Sequence, residues 1–294
     1  MTNRLFTAIV GALVVTALAG GCGRASSGTT AGEGAAAAAG KTAKDLVPEA
    51  VRKTGELRVA TSEGYPPMEM YKEGTQELTG VDPDLGAAIA AKLGLKFTIT
   101  NAAFDGLIPG LQSGRWDIVL SSMSDTEERR AAVDFVDYFN AGGAIMVKKG
   151  NPEGIRTLDD LCGKTVVLAK GTSNLAIGER QNEKCTDKMK IMQSEDAPTG
   201  LLSLDSGRAV ATIVDSPVAV MYANDTGKYD VLPEQYDAGP WGIAIDKRAT
   251  GLRDAVAKAM EELQADGGYR EVLDKYGVTA NAVQGVLVNT RPWK

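Results

Sequence analysis

The chain has 294 residues, 44% hydrophobic and 24% charged, with 32 Lys and Arg against 38 Asp and Glu and a formal charge of −6. That suits two globular domains with real cores, and the acidic balance speaks against a nucleic-acid partner. Histidine is absent and only three cysteines occur, which excludes a Ser-His-Asp triad, a Cys-His pair and His₃ or Cys₄ zinc, so no metal and no cofactor are expected.

The chain opens with Arg4, an apolar run from Leu5 to Gly21, and Cys22. Residues 1–21 read as a secretory signal peptide. The segment "LAGGC" resembles a bacterial lipobox, with Ala19 where a larger apolar residue is usual, so Cys22 is expected to carry lipid. The alternative is an uncleaved membrane anchor; both place the remainder outside the cytoplasm. Residues 22–44 are rich in Gly, Ser, Thr and Ala and read as a flexible tether with a reach of about 25 Å. In that compartment Cys162 and Cys185 are expected to form a disulfide.

From Gly55 onward strand and helix patterns alternate. "LRVAT" is a strand; "DPDLGAAIAAKLG" is a helix with Asp82 as its cap and Gly94 as its stop; "KFTIT" is a strand. "FDGLIPGLQSG" is a short helix and "WDIVLS" the next strand, followed by "SSMSDTEERR", where Ser124 and Glu127 have capping-box spacing. Then come "IMVKK", a short helix "TLDDL", strand "TVVLAK", helix "GTSNLAIGERQNEK", "KIMQS", a helix through "GLLSLDSG", strand "AVATIVD" and a helix from Pro217. "YDVLP" and "WGIAID" are strands, and helices over 250–264 and 268–276 close the pattern. Such alternation predicts an α/β fold with mainly parallel sheets.

Five segments, "GVDPDLGAAIAAKLG", "FDGLIPGLQSGRWDIVLSSMSDTEERRAAVDFVDYF", "LCGKTVVLAKGTS", "LDSGRAVATIVDS" and "GGYREVLDKYG", stand in the order and spacing of bacterial extracellular solute-binding protein family 3. Residues 55–276 thus resemble the amino-acid receptors of ABC importers. The resemblance implies a two-lobed periplasmic-binding-protein-like fold, two mainly parallel sheets joined by a two-strand hinge. Lobe one would be residues 55–143 plus 239–294 and lobe two 144–238, with "GGAIMVKK" and "GPWGIAI" as the crossings.

The resemblance also implies a site. Arg129 would clamp the ligand carboxylate, with Ser122 and Ser124 adding a hydroxyl and backbone contacts. Thr172 and Ser173 would cap the same carboxylate, and Asp215 would meet the ammonium. Tyr65 and Phe104 would wall the pocket. The bland alternatives are a surface ion pair for Arg129, an N-cap for Asp215, helix starts for the hydroxyls and plain core for the aromatics. Arg130 is expected to face solvent and Trp241 to be structural. Family members for basic amino acids often carry an aspartate where Ser62 stands here, which argues against a strong preference for a basic side chain. Glu63 and Glu69 are possible compensations, while Lys170 and Asn174 suit a polar or acidic side chain.

The implied function is a monomeric, lipid-anchored extracytoplasmic receptor that passes a polar amino acid or close analogue to an ABC permease. Two alternatives stay open: a dehydratase-type enzyme on this fold, with Glu63 as acid or base, and a sensory module acting through a partner.

Overall fold

The computed structural model describes residues 40–293. Two short helices, Ala43–Leu46 and Glu49–Thr54, lead into β1 (Glu56–Thr61), β2 (Met70–Tyr71) and β3 (Leu78–Thr79). The helix Val81–Leu93 precedes β4 (Lys96–Asn101), and Leu107–Gln112 precedes β5 (Ile118–Val119). The helix Glu127–Ala132 opens onto β6 (Val133–Lys148). Then β7 (Thr165–Ala169), the helix Ser173–Lys184, β8 (Lys190–Ser194), the helix Ala197–Asp205 and β9 (Ala211–Asp215) alternate. The helix Ser216–Thr226 precedes β10 (Tyr229–Asp246), helices Thr250–Asp266 and Gly268–Lys275 follow, and β11 (Ala282–Val288) and β12 (Arg291–Pro292) come last.

Strands β1, β4 and β5 pair in parallel, as do β7, β8 and β9. These are the two parallel halves that the alternating pattern predicts. They are not hydrogen-bonded as separate sheets. Strands β6 and β10 pair antiparallel from Tyr229 opposite Lys148 to Asp246 opposite Val133 and link both halves into one path, β4-β1-β5-β10-β6-β9-β7-β8. The predicted crossings are therefore segments of much longer strands. Register shifts between Val231 and Gln235, Tyr236 and Gly239, and Trp241 and Gly242 bend the pair where it passes between halves. Trp241 is 1% exposed and stacks on Phe139 with ring centroids 4.9 Å apart, a structural role as expected.

The largest apolar cluster spans both halves, including Leu85, Ile89 and Ile118 from one and Leu201, Leu204 and Val214 from the other, and each half adds a smaller cluster of its own. Leu107, Leu111, Trp116, Val119 and Phe135 cluster beside β5, whereas Ile145, Val166, Leu168, Ile177 and Ile213 cluster beside β7 and β9. Gly143 allows β6 to pass Asn174, because a Cβ there would stand 2.3 Å from the Asn174 amide oxygen.

Asp82 is not the cap of its helix. The N-cap is Gly80, and Asp82 lies buried in the first turn, where its carboxylate accepts the Ser122 N–H at 2.8 Å. Gly94 ends the helix at φ 68°, as its sequence position predicts. The β11–β12 hairpin has no counterpart in the sequence reading; it folds back on β6.

Cys162 and Cys185 are bonded, tying the short turn at Leu158–Leu161 to the end of the helix Ser173–Lys184. The bond closes a loop with a sequence separation of 23. Replacing both cysteines by serine is expected to cost about 3 kcal/mol in denaturant unfolding. A loss below about 0.5 kcal/mol would show that the loop is already held by its packing.

Candidate functional site

In parallel α/β sheets, loops leaving the carboxyl ends of strands converge, and ligands bind where they meet. Here the loops after β1, β4, β5, β7 and β8, and the last residue of β9, face one cavity of about 50 Å³. Ser62, Glu63, Tyr65, Phe104, Ser122, Ser124, Arg129, Thr172, Ser173 and Asp215 all line it. Lys170 and Asn174 do not.

Arg129 is the cation of this cavity. Its Nη1 donates to the Ser124 carbonyl at 2.9 Å and its Nη2 to the Gly171 carbonyl at 2.9 Å. The guanidinium carbon stands 5.4 Å from the centre of the Phe104 ring. Both bonds go to carbonyls, and among the described residues Arg129 forms no ion pair, so the surface salt bridge is not its role here. Desolvation in the cleft lowers its pKa, opposed by the negative charge of Asp215.

Asp215 ends β9 and is 6% exposed. Tyr65 donates its hydroxyl to Oδ2 at 2.5 Å, and that same hydroxyl oxygen accepts the Asp215 N–H at 3.2 Å. Burial raises the Asp215 pKa, while bonds from Tyr65 and Asn174 and the charge of Arg129 pull it down. The side chain does not cap the following helix. Burial and the Asp215 charge push the Tyr65 pKa far up, so the phenol stays protonated and remains a donor.

The loop after β5 is held from behind. Ser122 sits at φ 47°, a left-handed conformation that costs a non-glycine residue about 1–2 kcal/mol. Asp82 accepts its N–H, and Glu69 accepts the Ser122 hydroxyl at 3.1 Å and the Ser121 hydroxyl at 3.2 Å. Glu69 and Asp82 are buried together. Burial and mutual repulsion raise Glu69 strongly, and burial raises Asp82 to about 6, so the pair retains a proton near neutrality.

The helix Glu127–Ala132 starts differently from the capping-box spacing. Thr126 is the N-cap, accepting the Arg129 N–H at 3.2 Å. Ser124 is released from capping because its hydroxyl meets that of Ser173 at 3.0 Å, across the cleft. Thr172 caps the helix Ser173–Lys184 through its hydroxyl, which leaves the helix start facing the cavity. Arg130 does not point freely into solvent: it pairs with Asp125 at 2.9 Å, whose side chain is fully buried.

Asp125 lies against Asp137 of β6, and one carboxylate oxygen of each is buried without a partner. Burial first, then Asp125, raise the Asp137 pKa from 3.8 to about 8. The folded chain thus keeps a proton that the unfolded chain releases, so stability declines as pH rises from about 4 to about 8. Asp137→Asn is expected to raise stability at pH 8–9 by roughly 1–3 kcal/mol and to flatten that slope, as read by thermal melts across pH. An unchanged slope would show that the two carboxyls do not share a proton.

Asn174 lies behind the cavity, 4% exposed, with its amide oxygen unpartnered. Lys170 turns to Glu195 in an ion pair. Glu69, Glu195 and Asp196 line the cavity but lay outside the core set of sequence candidates. Asp196 caps the helix Ala197–Asp205, accepting the Thr199 N–H at 2.8 Å, and in sequence looks like nothing more. The available signal was its place just past the carboxyl end of β8.

Comparison with known proteins agrees with this geometry. The profile of the bacterial extracellular solute-binding proteins, family 3, matches residues 57–279. The chain is 30% identical over 253 residues to the arginine-binding protein ArgT of Corynebacterium glutamicum, covering 84% of this chain and 82% of that protein. It is 32% identical over 230 residues to the L-cystine-binding protein TcyJ of Escherichia coli K12, covering 77% of this chain and 84% of that one. Among solved structures, an ancestral arginine-binding protein bound to arginine matches with TM-score 0.71 and 37% identity, covering 76% of this chain and 98% of that one. A mutant of ArgBP from T. maritima matches with TM-score 0.73 and 31% identity, covering 80% and 99%. With its parallel halves, its crossing strands and its cleft on this frame, the chain belongs to family 3 of the bacterial extracellular solute-binding proteins.

Proposed function

We propose that this chain captures a free polar amino acid, or a close analogue, between two closing lobes and delivers it to the permease of an ABC importer. The observation that carries the reading is one cavity faced by opposite charges with no ionic partner, Arg129 from one half of the sheet and Asp215 from the other. A zwitterion supplies the two missing partners. Arg129, the helix start at Thr172–Ser173 and Ser124 receive its carboxylate, whereas Ser122, expected to join them, has its N–H taken by Asp82 and its hydroxyl by Glu69 and serves to hold the loop. Asp215 receives its ammonium, and Tyr65 and Phe104 flank its carbon skeleton.

Lobe one comprises residues 55–143 and 239–294 and lobe two 144–238, with β6 and β10 as the hinge. Only the closed form offers both charges, so the ligand drives closure by its differential affinity for that form. The protein acts as a monomer outside the cytoplasm, held by lipid on Cys22 after removal of residues 1–21, with residues 22–39 as its tether. Residues 1–39 lie outside the described ones, and the tether assigned to residues 22–44 is too long at its end: Thr42 caps the helix Ala43–Leu46, where Ala43 is buried and donates its N–H to Glu262 at 2.8 Å. Among the described residues no helix is long and apolar enough to cross a membrane.

The relatives named above are binding proteins for amino acids, which supports capture over catalysis. Thermal-shift screening of the purified protein against the common amino acids tests the reading. At least one should raise the melting temperature in proportion to its saturation and be recovered unchanged. If none binds, or if the bound one is converted, the reading fails.

A further inference from the structure

Among the described residues the cavity holds a single cation, Arg129, against five acids: Glu63, Glu69, Glu195, Asp196 and Asp215. If the zwitterion reading above is correct, Arg129 and Asp215 are both committed to the ligand's backbone. Glu69 is committed to the hydroxyls of Ser121 and Ser122 and shares its proton with Asp82. Glu195 is paired with Lys170. Glu63 remains, and Asp196, one of whose oxygens accepts the Thr199 N–H, keeps its charge without an ion pair among the described residues.

These two come from opposite halves, Glu63 from the loop after β1 and Asp196 from the loop after β8. The loop after β1 reaches the facing half: a Cβ on Gly64 would lie 2.9 Å from the ring of Pro198, in the helix that Asp196 caps, and Tyr222 of the helix Ser216–Thr226 donates its hydroxyl to the Gly64 carbonyl at 2.7 Å. The Glu63 side chain makes no hydrogen bond or ion pair among the described residues, and only its backbone N–H is engaged, by Asn101. Burial, then the charge of Asp196, raise the Glu63 pKa. Closure therefore brings two carboxylates towards each other in a partly desolvated wall, which opposes closure unless a cation stands between them.

We propose that Glu63 and Asp196 form a cross-lobe carboxylate pair bridged by the guanidinium or ammonium of the ligand's side chain, so that the receptor selects cationic amino acids. The negative charge comes from Glu63 on one half and Asp196 on the other. Glutamate is repelled by the same wall, and neutral side chains leave the two carboxylates unbridged.

Arginine and citrulline separate the possibilities, because they match in shape and differ in charge. Calorimetric titration of the purified protein should show arginine binding roughly 10- to 100-fold more tightly than citrulline. In Glu63→Gln/Asp196→Asn, arginine should weaken until the two ligands differ by less than about 3-fold, while citrulline binds at least as well as before. Retained citrulline binding shows that the variant is folded and its backbone clamp intact. Equal affinity for the two ligands in the native protein overturns the proposal and leaves the zwitterion reading standing. An arginine preference that persists in the double variant also overturns it. Failure of every free amino acid to bind the native protein removes the zwitterion reading and this proposal with it.

Discussion

Arg129→Ala is expected to weaken ligand capture by roughly 100- to 1,000-fold, about 3–4 kcal/mol. The guanidinium lies in a cleft against Phe104, its bonds to two carbonyls fix its plane, and its remaining N–H donors are free for a carboxylate. A carboxylate that enters this cleft without it is desolvated and unpaired, which is the costly half of the loss. Arg129→Lys should not restore affinity, because an ammonium cannot hold two carbonyls and a carboxylate in one plane. The bond to Gly171 crosses the cleft, so the alanine variant should also favour the open form. Isothermal titration beside circular dichroism checks this: binding falls while the spectrum is kept. Affinity within about 3-fold of native would mean that the carboxylate is held elsewhere.

Asp215→Asn is expected to move binding and stability in opposite directions. Asparagine keeps an oxygen for the Tyr65 hydroxyl but removes the charge that the ammonium needs, so affinity falls by about 100-fold. The free protein should gain stability. Burial raises the folded pKa of Asp215 above 3.8, so the folded chain holds this proton more tightly than the unfolded chain. Stability from this group is complete below about pH 3.8 and is lost as pH rises through the raised value. At neutral pH the carboxylate is a charge buried without its ionic partner, and neutralising it should stabilise by about 1–2 kcal/mol. Denaturant unfolding without ligand, set beside a ligand titration, reads both effects. A variant that loses stability along with affinity would make Asp215 a structural residue.

The parts of the site that the sequence made legible are those set by local spacing. Arg129 is the third residue of the helix Glu127–Ala132, five positions past Ser124, and Asp215 ends an apolar strand before a helix with Pro217 in its first turn. Their burial against a shared cavity follows from the topology. Asp82 looked like a cap because Asp-Pro before an apolar helix is a cap signal, yet a partner forty positions away, the Ser122 N–H, took its carboxylate. Ser124 and Glu127 have capping-box spacing, but the cleft claimed Ser124 and left the cap to Thr126. In each case a long-range hydrogen bond prevailed over a local one, and spacing carries no trace of such bonds.

Asp196 was hidden for the opposite reason. Its local role as a cap is real and explains it fully, so nothing in the segment "SEDAPTG" announces that it also walls the cavity. The joining of two parallel halves into one hydrogen-bonded path was likewise out of reach, because "GGAIMVKK" and "GPWGIAI" show only the apolar ends of β6 and β10. The polar stretch Glu234–Asp237 inside β10 reads as a loop, and it is strand only because β6 runs beside it.

The central claim is that Arg129 and Asp215 hold the two charges of one zwitterion. It is tested most directly by titrating the native protein with its amino acid ligand, the N-acetyl derivative and the carboxyl methyl ester. Each blocked form removes one charge and should bind at least 100-fold more weakly than the free amino acid. A blocked form that binds as tightly as the free one would show that the corresponding charge has no partner in the cleft.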